Sequence, residues 1–454
     1  MEFLKELPED HRIFISINIF VIILGFFMRF IKGRQLRLIY SLIPGVVFQY
    51  LLYGPSTIHV WLSLFANIYI TRKFEREKLG KISLIYNFIH NSIIHLVRLI
   101  YEPSSWRLEI STIFMMITCK FTGLAISYSN YIKTNLNKEQ EKYKIKDFTY
   151  LEIASYTFFF PTTICGPFIE FNDFISFIEE KDEFANIPNT TFIAIKRFLQ
   201  AVLLAVLNIF FLTYGRPELV VDGEGKFNIF QRIICFYFGG FLLYKYFAAF
   251  SFCEAGILAS GFAYEGKVKN ENGVEEDSFN RARAIEIFKV STISFPTFFF
   301  RYWNISVHVW LKRYLYTSFL QDNATYAQKQ LASSKTFFVS AFWHGFNMTY
   351  FVTFFHFFWL TFLENQLRII MKSLRKETYE RIDKIYNCDL ISAIFLNIFM
   401  IPYLCLMWQC LDVEILINFL RTTYFTGSIV IIGGNIIAYI YIKLFVKRKE
   451  EKKE

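Results

Sequence analysis

Charge is scarce in this chain. Asp, Glu, Lys and Arg supply 19% of 454 residues, below the roughly 25% of an ordinary soluble domain. No long hydrophilic block interrupts the apolar segments that recur from Ile13 almost to Phe445. The length alone allows roughly two to four soluble domains, but this patterning excludes them and predicts one integral domain over 1–454. The seven cysteines, at 119, 165, 235, 253, 388, 405 and 410, contain no CxxC pair, so the sequence signal for a zinc site or a dithiol redox centre is missing. Most of them lie in apolar stretches and read as buried, inert thiols. P-loop, GxGxxG and intramembrane His-x-x-x-His patterns are also absent, which argues against a nucleotide-driven pump or a metal centre. Basic residues flank apolar runs and form no stripe with an RNA-binding motif, so no nucleic-acid partner is expected. No cleavable signal peptide is evident, because the first apolar stretch is long enough to remain as an anchor.

Apolar material is abundant instead: 54% hydrophobic residues, 56 Phe and a mean hydropathy of +0.33. A membrane helix needs about 20 largely apolar residues. Candidates lie near 13–31, 37–53, 57–71, 83–101, 110–128, 149–168, 191–214, 227–250, 251–263, 286–300, 336–363, 389–411 and 426–446. Those near 251–263 and 286–300 are too short to span and read as re-entrant or buried pieces. The expectation is an all-α, polytopic transmembrane helical bundle with about ten to twelve membrane segments.

Charge bias orients the first half. Residues 1–12 carry Glu2, Glu6, Glu9 and Asp10, and the next loop carries Arg29, Lys32, Arg34 and Arg37, so the amino terminus is expected on the non-cytosolic side. Alternation then makes Arg72 to Lys81 and Lys133 to Lys146 cytosolic and puts the acidic stretch Glu170 to Glu183 on the far side. Asn189-Thr190-Thr191 is there a glycosylation triplet. The charged end, 447–454, reads as a cytosolic tail. A net charge of +10 suits loops lying against anionic lipid.

One pattern resists a packing explanation. An apolar run ends in Phe342-Trp343-His344-Gly345, forty residues (344 − 304) after Asn304 in the segment Arg301-Tyr302-Trp303-Asn304-Ile305-Ser306-Val307-His308-Val309-Trp310-Leu311-Lys312-Arg313. An ionisable residue at membrane depth is by default a functional candidate. With a helix starting near Lys335, His344 sits mid-bilayer, where burial favours the neutral imidazole. That form accepts a proton, and general-base catalysis is typically worth about 10²–10⁴-fold. The Asn304 amide is suited to orienting a hydroxyl or donating to a developing oxyanion. On a helix, His308 lies at i+4 from Asn304 and shares its face. Trp303, Trp310 and Tyr314 suit a lipid-pocket lining, and Arg301, Lys312 and Arg313 suit phosphate groups at its mouth. His356 reads as packing. His59, His90 and His95 lack a comparable polar neighbourhood.

These segments resemble the membrane-bound O-acyltransferases, and within them the lysophospholipid acyltransferases. The matching runs are Trp303-Asn304-Ile305-Ser306, Trp310-Leu311-Lys312-Arg313-Tyr314-Leu315-Tyr316 and Ser340-Ala341-Phe342-Trp343-His344-Gly345. Phe160-Pro161 with Gly166-Pro167, and Glu254 with Ala259-Ser260-Gly261-Phe262, support them. The resemblance implies a bundle enclosing a catalytic tunnel, with acyl-CoA as co-substrate, no tightly bound cofactor and no metal. A 1-acyl lysophospholipid is the implied acceptor, acylated at its sn-2 hydroxyl. It also implies His344 as general base, Asn304 as its positioning partner, and Trp303, His308, Trp310, Trp343 and Glu254 along the tunnel. The implied location is the endoplasmic-reticulum membrane. Family members with diacylglycerol, sterol or protein acceptors remain alternatives, and so does a non-catalytic lipid transporter or scramblase.

Overall fold

The computed structural model describes residues 9–102, 108–133, 136, 138–212, 220–221, 229–240, 243–270, 273–321, 323–374 and 388–446. The expectations for residues 1–8 and for the tail 447–454 fall outside them. Helix dominates; one short hairpin pairs Gly266–Lys269 with Glu275–Ser278, Gly266 opposite Ser278. Among the described residues, six helical runs are long and apolar enough to cross a membrane: Glu9–Met28, Arg34–Lys73, Ile110–Asn130, Thr191–Phe210, Asp389–Gln409 and Thr426–Val446. Other long helices carry polar residues on their buried faces, as with Asn87, Asn91 and His95 in Leu79–Tyr101 and Glu364 in Met348–Ser373. The chain forms a multi-pass helical membrane protein.

Contacts divide it into two compact units. The first comprises Met1–Leu204, Phe247–Ile285 and Asn304–Tyr314; the second comprises Ala205–Tyr246, Glu286–Trp303 and Leu315–Glu454.

In the first unit, neighbouring helices are held by amides as well as apolar packing. Asn67 and Asn87 exchange side-chain hydrogen bonds at 3.0 and 2.9 Å, and Ser63 and Ser83 donate to them. All four are fully or nearly fully buried. Such interhelical bonds are worth roughly 0.6–2 kcal/mol in a bilayer.

The segment 149–168, expected to span, does not. Thr149 opens a helix through a reciprocal capping box with Glu152, but that helix ends at Thr157. The chain then continues through a 3-10 turn and irregular backbone to Glu170. This loop descends beside the helix Arg34–Tyr53: Ser155 donates to Leu38 O, Gln49 to Thr163 O and Tyr53 to Ile164 O. Gly45 permits the approach, since a Cβ there would lie 1.6 Å from Phe158 O. Irregular backbone at this depth leaves carbonyls to be satisfied. Lys120, 1% exposed, donates to Tyr156 O at 3.0 Å, Thr157 O at 3.3 Å and Thr162 Oγ1 at 3.1 Å. It thereby caps the end of the short helix, where a cation is favoured.

The loop returns to the side it left. Glu179 and Glu180 meet Arg34 and Lys32 at 2.9 Å each, and Asn172 bonds the carbonyls of Lys142 and Lys144. The acidic stretch 170–183 therefore lies beside the basic loops, and the expected far-side placement is corrected. The re-entry cancels one crossing. The same correction removes the argument for glycosylation at Asn189, whose neighbour Thr190 is buried with its hydroxyl bonded to Leu258 O.

Candidate active site

His344 ends a helix that starts earlier than expected. Tyr326–His344 is opened by a capping box between Thr325 and Gln328, not near Lys335, so the imidazole lies about 27 Å of helix from the first residue at 1.5 Å per residue. The expected single span 336–363 is also broken. Gly345 adopts φ 116°, and Asn347 caps the next helix, Met348–Ser373, through Thr349 N while its Nδ2 bonds Leu411 O at 2.6 Å. A helix break inside a membrane protein persists where protein satisfies the freed backbone groups. Replacing Thr325 with alanine is expected to cost about 1 kcal/mol, read as a small fall in Tm with the helix otherwise retained.

Aromatic rings wall the imidazole. Phe354 stacks on it with centroids 5.4 Å apart, Trp408 meets it edge-on at 4.9 Å, and Trp343 and Tyr350 lie at 4.9 and 5.9 Å. Tyr350 in turn packs on Trp408 at 4.5 Å, and the Trp408 indole N–H donates to the Tyr246 hydroxyl at 3.0 Å. Ring faces carry negative potential that attracts a cation within about 6 Å. The half-buried imidazole therefore sits within reach of several aromatic rings. Tyr246, Tyr350, Phe354 and Trp408 escaped the sequence reading, because one aromatic in a chain that is 20% aromatic gives no signal of its own.

Asn304 belongs to the first unit and precedes its helix. The backbone there is left-handed, φ 42° and ψ 53°, and helix Ile305–Trp310 follows. Asparagine is among the few residues that tolerate this region, at roughly 1 kcal/mol or more of strain. Asn304 is thus the cap of this helix and not part of it, and its carbonyl accepts the His308 backbone N–H one turn on at 2.9 Å.

Two contacts frame the strained turn. Ile305 N donates to Ala284 O at 2.8 Å, and Ser306 Oγ accepts from Phe168 N at 3.0 Å. Residues 284–285 are themselves held by Glu254, whose Oε1 accepts from Ala284 N at 2.7 Å and Ile285 N at 3.0 Å. The other oxygen pairs with Arg197 at 2.5 Å, and Arg197 also bonds Ile285 O. Glu254, expected along the tunnel, is a buried organiser of the Asn304 turn.

The remaining candidates scatter. Trp310 is 1% exposed and donates its indole N–H to Cys119 O at 3.0 Å, so it packs against helix Ile110–Asn130 in place of lining a pocket. Arg313 pairs with buried Glu170 and lies over the Tyr143 ring at 4.3 Å. Burial pushes the Glu170 carboxyl up to about 7, while Arg313 and the Tyr314 hydroxyl pull it down. Arg313 is therefore engaged within the protein. Lys312 and Arg301 are exposed, the latter over Phe298 at 5.3 Å. Trp303, in the second unit, stacks on Phe299 and meets Tyr246, each at 5.5 Å.

The other histidines divide. His356 bonds Val352 O and Ser428 Oγ at 2.7 Å each, as a packing residue should. His59 and His90, expected to lack polar company, bond each other at 3.2 Å, with Tyr86 on His90 at 3.3 Å. Among the described residues, no three His, Cys, Asp or Glu side chains gather as a metal site.

The pattern of the MBOAT, membrane-bound O-acyltransferase family, matches residues 88–407. Lysophospholipid acyltransferase 2 of Arabidopsis thaliana is 24% identical over 349 residues, covering 73% of each chain. Lysophospholipid acyltransferase 1 of the same plant is 20% identical over 438 residues, covering 92% of this chain and 91% of that one. The lysophospholipid acyltransferase of Saccharomyces cerevisiae is 24% identical over 316 residues, covering 63% of this chain and 50% of that one. The matched stretch contains both the strained Asn304 turn and the broken helix with His344, and the chain belongs to the membrane-bound O-acyltransferase family.

Proposed function

We propose that this protein transfers a fatty acyl group from acyl-CoA to the sn-2 hydroxyl of a 1-acyl lysophospholipid, with His344 as general base and Asn304 as positioning group. The observation that carries the reading is the imidazole held at a helix break within four aromatic rings. Its support from relatives is that several carry the name lysophospholipid acyltransferase.

In the proposed step the acceptor oxygen bonds to the thioester carbonyl carbon as its proton passes to His344. The carbon–sulfur bond then breaks, and the proton leaves with the CoA thiolate as a thiol. No covalent acyl-enzyme is required. An aromatic wall beside the reacting groups limits hydrolysis of the thioester. Of the three cations expected to meet the CoA phosphates, Lys312 and Arg301 are exposed, and each suits that role by charge. We place the enzyme in the endoplasmic-reticulum membrane, with the basic loops 29–37, 72–81 and 133–146 and the tail 447–454 cytosolic and the amino terminus opposite.

The test is acyl transfer by purified protein, with labelled oleoyl- or arachidonoyl-CoA and lysophospholipids bearing choline, ethanolamine, serine or inositol. Product with at least one headgroup is expected. Absence of product with all four would overturn the phospholipid assignment and direct the assay to diacylglycerol, sterol or protein acceptors.

A further inference from the structure

The re-entrant loop carries a cysteine that the reaction above does not use. Cys165 lies near its tip, between Ile164, whose carbonyl accepts from the Tyr53 hydroxyl at 3.1 Å, and Gly166, where a Cβ would meet Thr162 Cα at 2.5 Å. Its Sγ is 3.6 Å from that of Cys253, which is 3% exposed on helix Leu243–Ser260. The two lie 88 residues apart in sequence, so no spacing rule announces them. Both thiols are free, and both belong to the first unit.

We propose that Cys165 and Cys253 form a dithiol modification site that accepts a disulfide, and that the modification acts on the Asn304 turn. Cys165 is the half-buried partner, so exchange begins there. Its thiolate attacks one sulfur of a small disulfide such as oxidised glutathione, giving a mixed disulfide and releasing one glutathione thiol. Cys253 then displaces the second glutathione thiol and closes the Cys165–Cys253 bond. Two protein thiols are oxidised and one glutathione disulfide is reduced, with the protein's protons passing to the leaving thiolates.

Location favours the chemistry. The loop tip is level with Tyr53, at the end of helix Arg34–Tyr53 opposite the basic residues Arg34 and Arg37. In the orientation proposed above, that end faces away from the cytosol, toward compartments where disulfides persist.

The two cysteines stand on the two supports of the Asn304 turn. Cys165 is three residues before Phe168, whose N–H donates to Ser306 Oγ, and Cys253 precedes Glu254, which holds residues 284–285. Bringing the sulfurs from 3.6 Å to the roughly 2.05 Å of a disulfide ties the two supports together covalently and fixes their spacing. Misplacement of about 1 Å away from the reacting atoms can cost as much as 10²-fold in rate.

The experiment uses full-length protein in lipid nanodiscs, first reduced and then treated with oxidised glutathione. Digestion without reductant followed by mass spectrometry should yield one peptide joining Cys165 to Cys253, two hydrogens lighter than its separate halves. Acyl transfer should fall about 10-fold or more and recover with dithiothreitol. Cys165→Ser and Cys253→Ser should each lose both the peptide and the sensitivity. Absence of the joined peptide from oxidised wild type overturns the site, and a joined peptide with unchanged transfer overturns its action on the turn. The rate effect rests on the acyl-transfer reading, whereas the peptide does not. Reduced protein that acylates no lysophospholipid would count against that reading, with the peptide still deciding the dithiol.

Discussion

Replacing His344 with alanine is expected to lower acyl transfer about 10²–10⁴-fold while the protein still elutes as a folded species. The loss should fall on kcat, because the proton moves only as the new carbon–oxygen bond forms and an interaction made in the transition state leaves KM largely untouched. His344→Gln supplies an amide of similar reach and should be nearly as inactive, since it hydrogen-bonds without accepting the proton. A lipid-path role would instead tolerate that amide. Asn304→Ala should lose less, and the pair His344→Ala/Asn304→Ala little more than His344→Ala alone, because groups serving one step are not additive. Steady-state rates on four purified variants measure this directly. Full activity in His344→Gln would remove the proposed base.

Glu254→Ala carries the second large effect. The carboxylate accepts from Ala284 N and Ile285 N and pairs with Arg197, with side-chain exposures of 8% for Glu254 and 11% for Arg197. Its removal strands two backbone donors and takes the counter-charge from the Arg197 guanidinium, which keeps the neutral acceptors Gln200 Oε1 and Ile285 O. Breaking a buried pair from one side typically costs about 3–5 kcal/mol. Glu254→Gln keeps an acceptor for the backbone but loses the charge facing Arg197, so it should be milder in stability. It still loosens residues 284–285, and Ile305 N hangs on Ala284 O, so kcat should fall although Glu254 touches no reacting atom in this reading. Thermal unfolding in detergent separates the two effects. A stable Glu254→Gln protein with unaltered kcat would show that the carboxylate serves folding only.

The helical, many-crossing character of the chain is legible in composition because a bilayer tolerates few alternatives to apolar helix. Asn304 and His344 draw notice for a related reason, as polar side chains beside apolar runs, and their catalytic roles belong to the proposal. Legibility fails where hydropathy is blind to direction. Segment 149–168 is apolar whether it crosses or doubles back, and only Pro161 and Gly166-Pro167, with the helix ending at Thr157, mark the reversal. The same blindness joins two helices across Gly345, although glycine followed by Asn347 is a stop and a cap in sequence. Contacts distant in the chain are beyond any local pattern. Arg313 reads as a phosphate ligand until Glu170, 143 residues away, is seen to hold it, and the Trp408 wall of His344 is 64 residues (408 − 344) downstream.

Lys120 has a consequence for how the protein is made. It lies midway along Ile110–Asn130 and its three partners all reside in residues 156–162, which leave the ribosome later. While the helix enters the bilayer its ammonium has none of these acceptors, a burden of roughly 2.5–3.5 kcal/mol at a helix centre. The apolar remainder of the helix must carry that burden, or the helix must ride high until the loop arrives. The backbone that meets the charge is made after it, so Lys120 gains its acceptors only once residues 156–162 have followed the helix out of the ribosome.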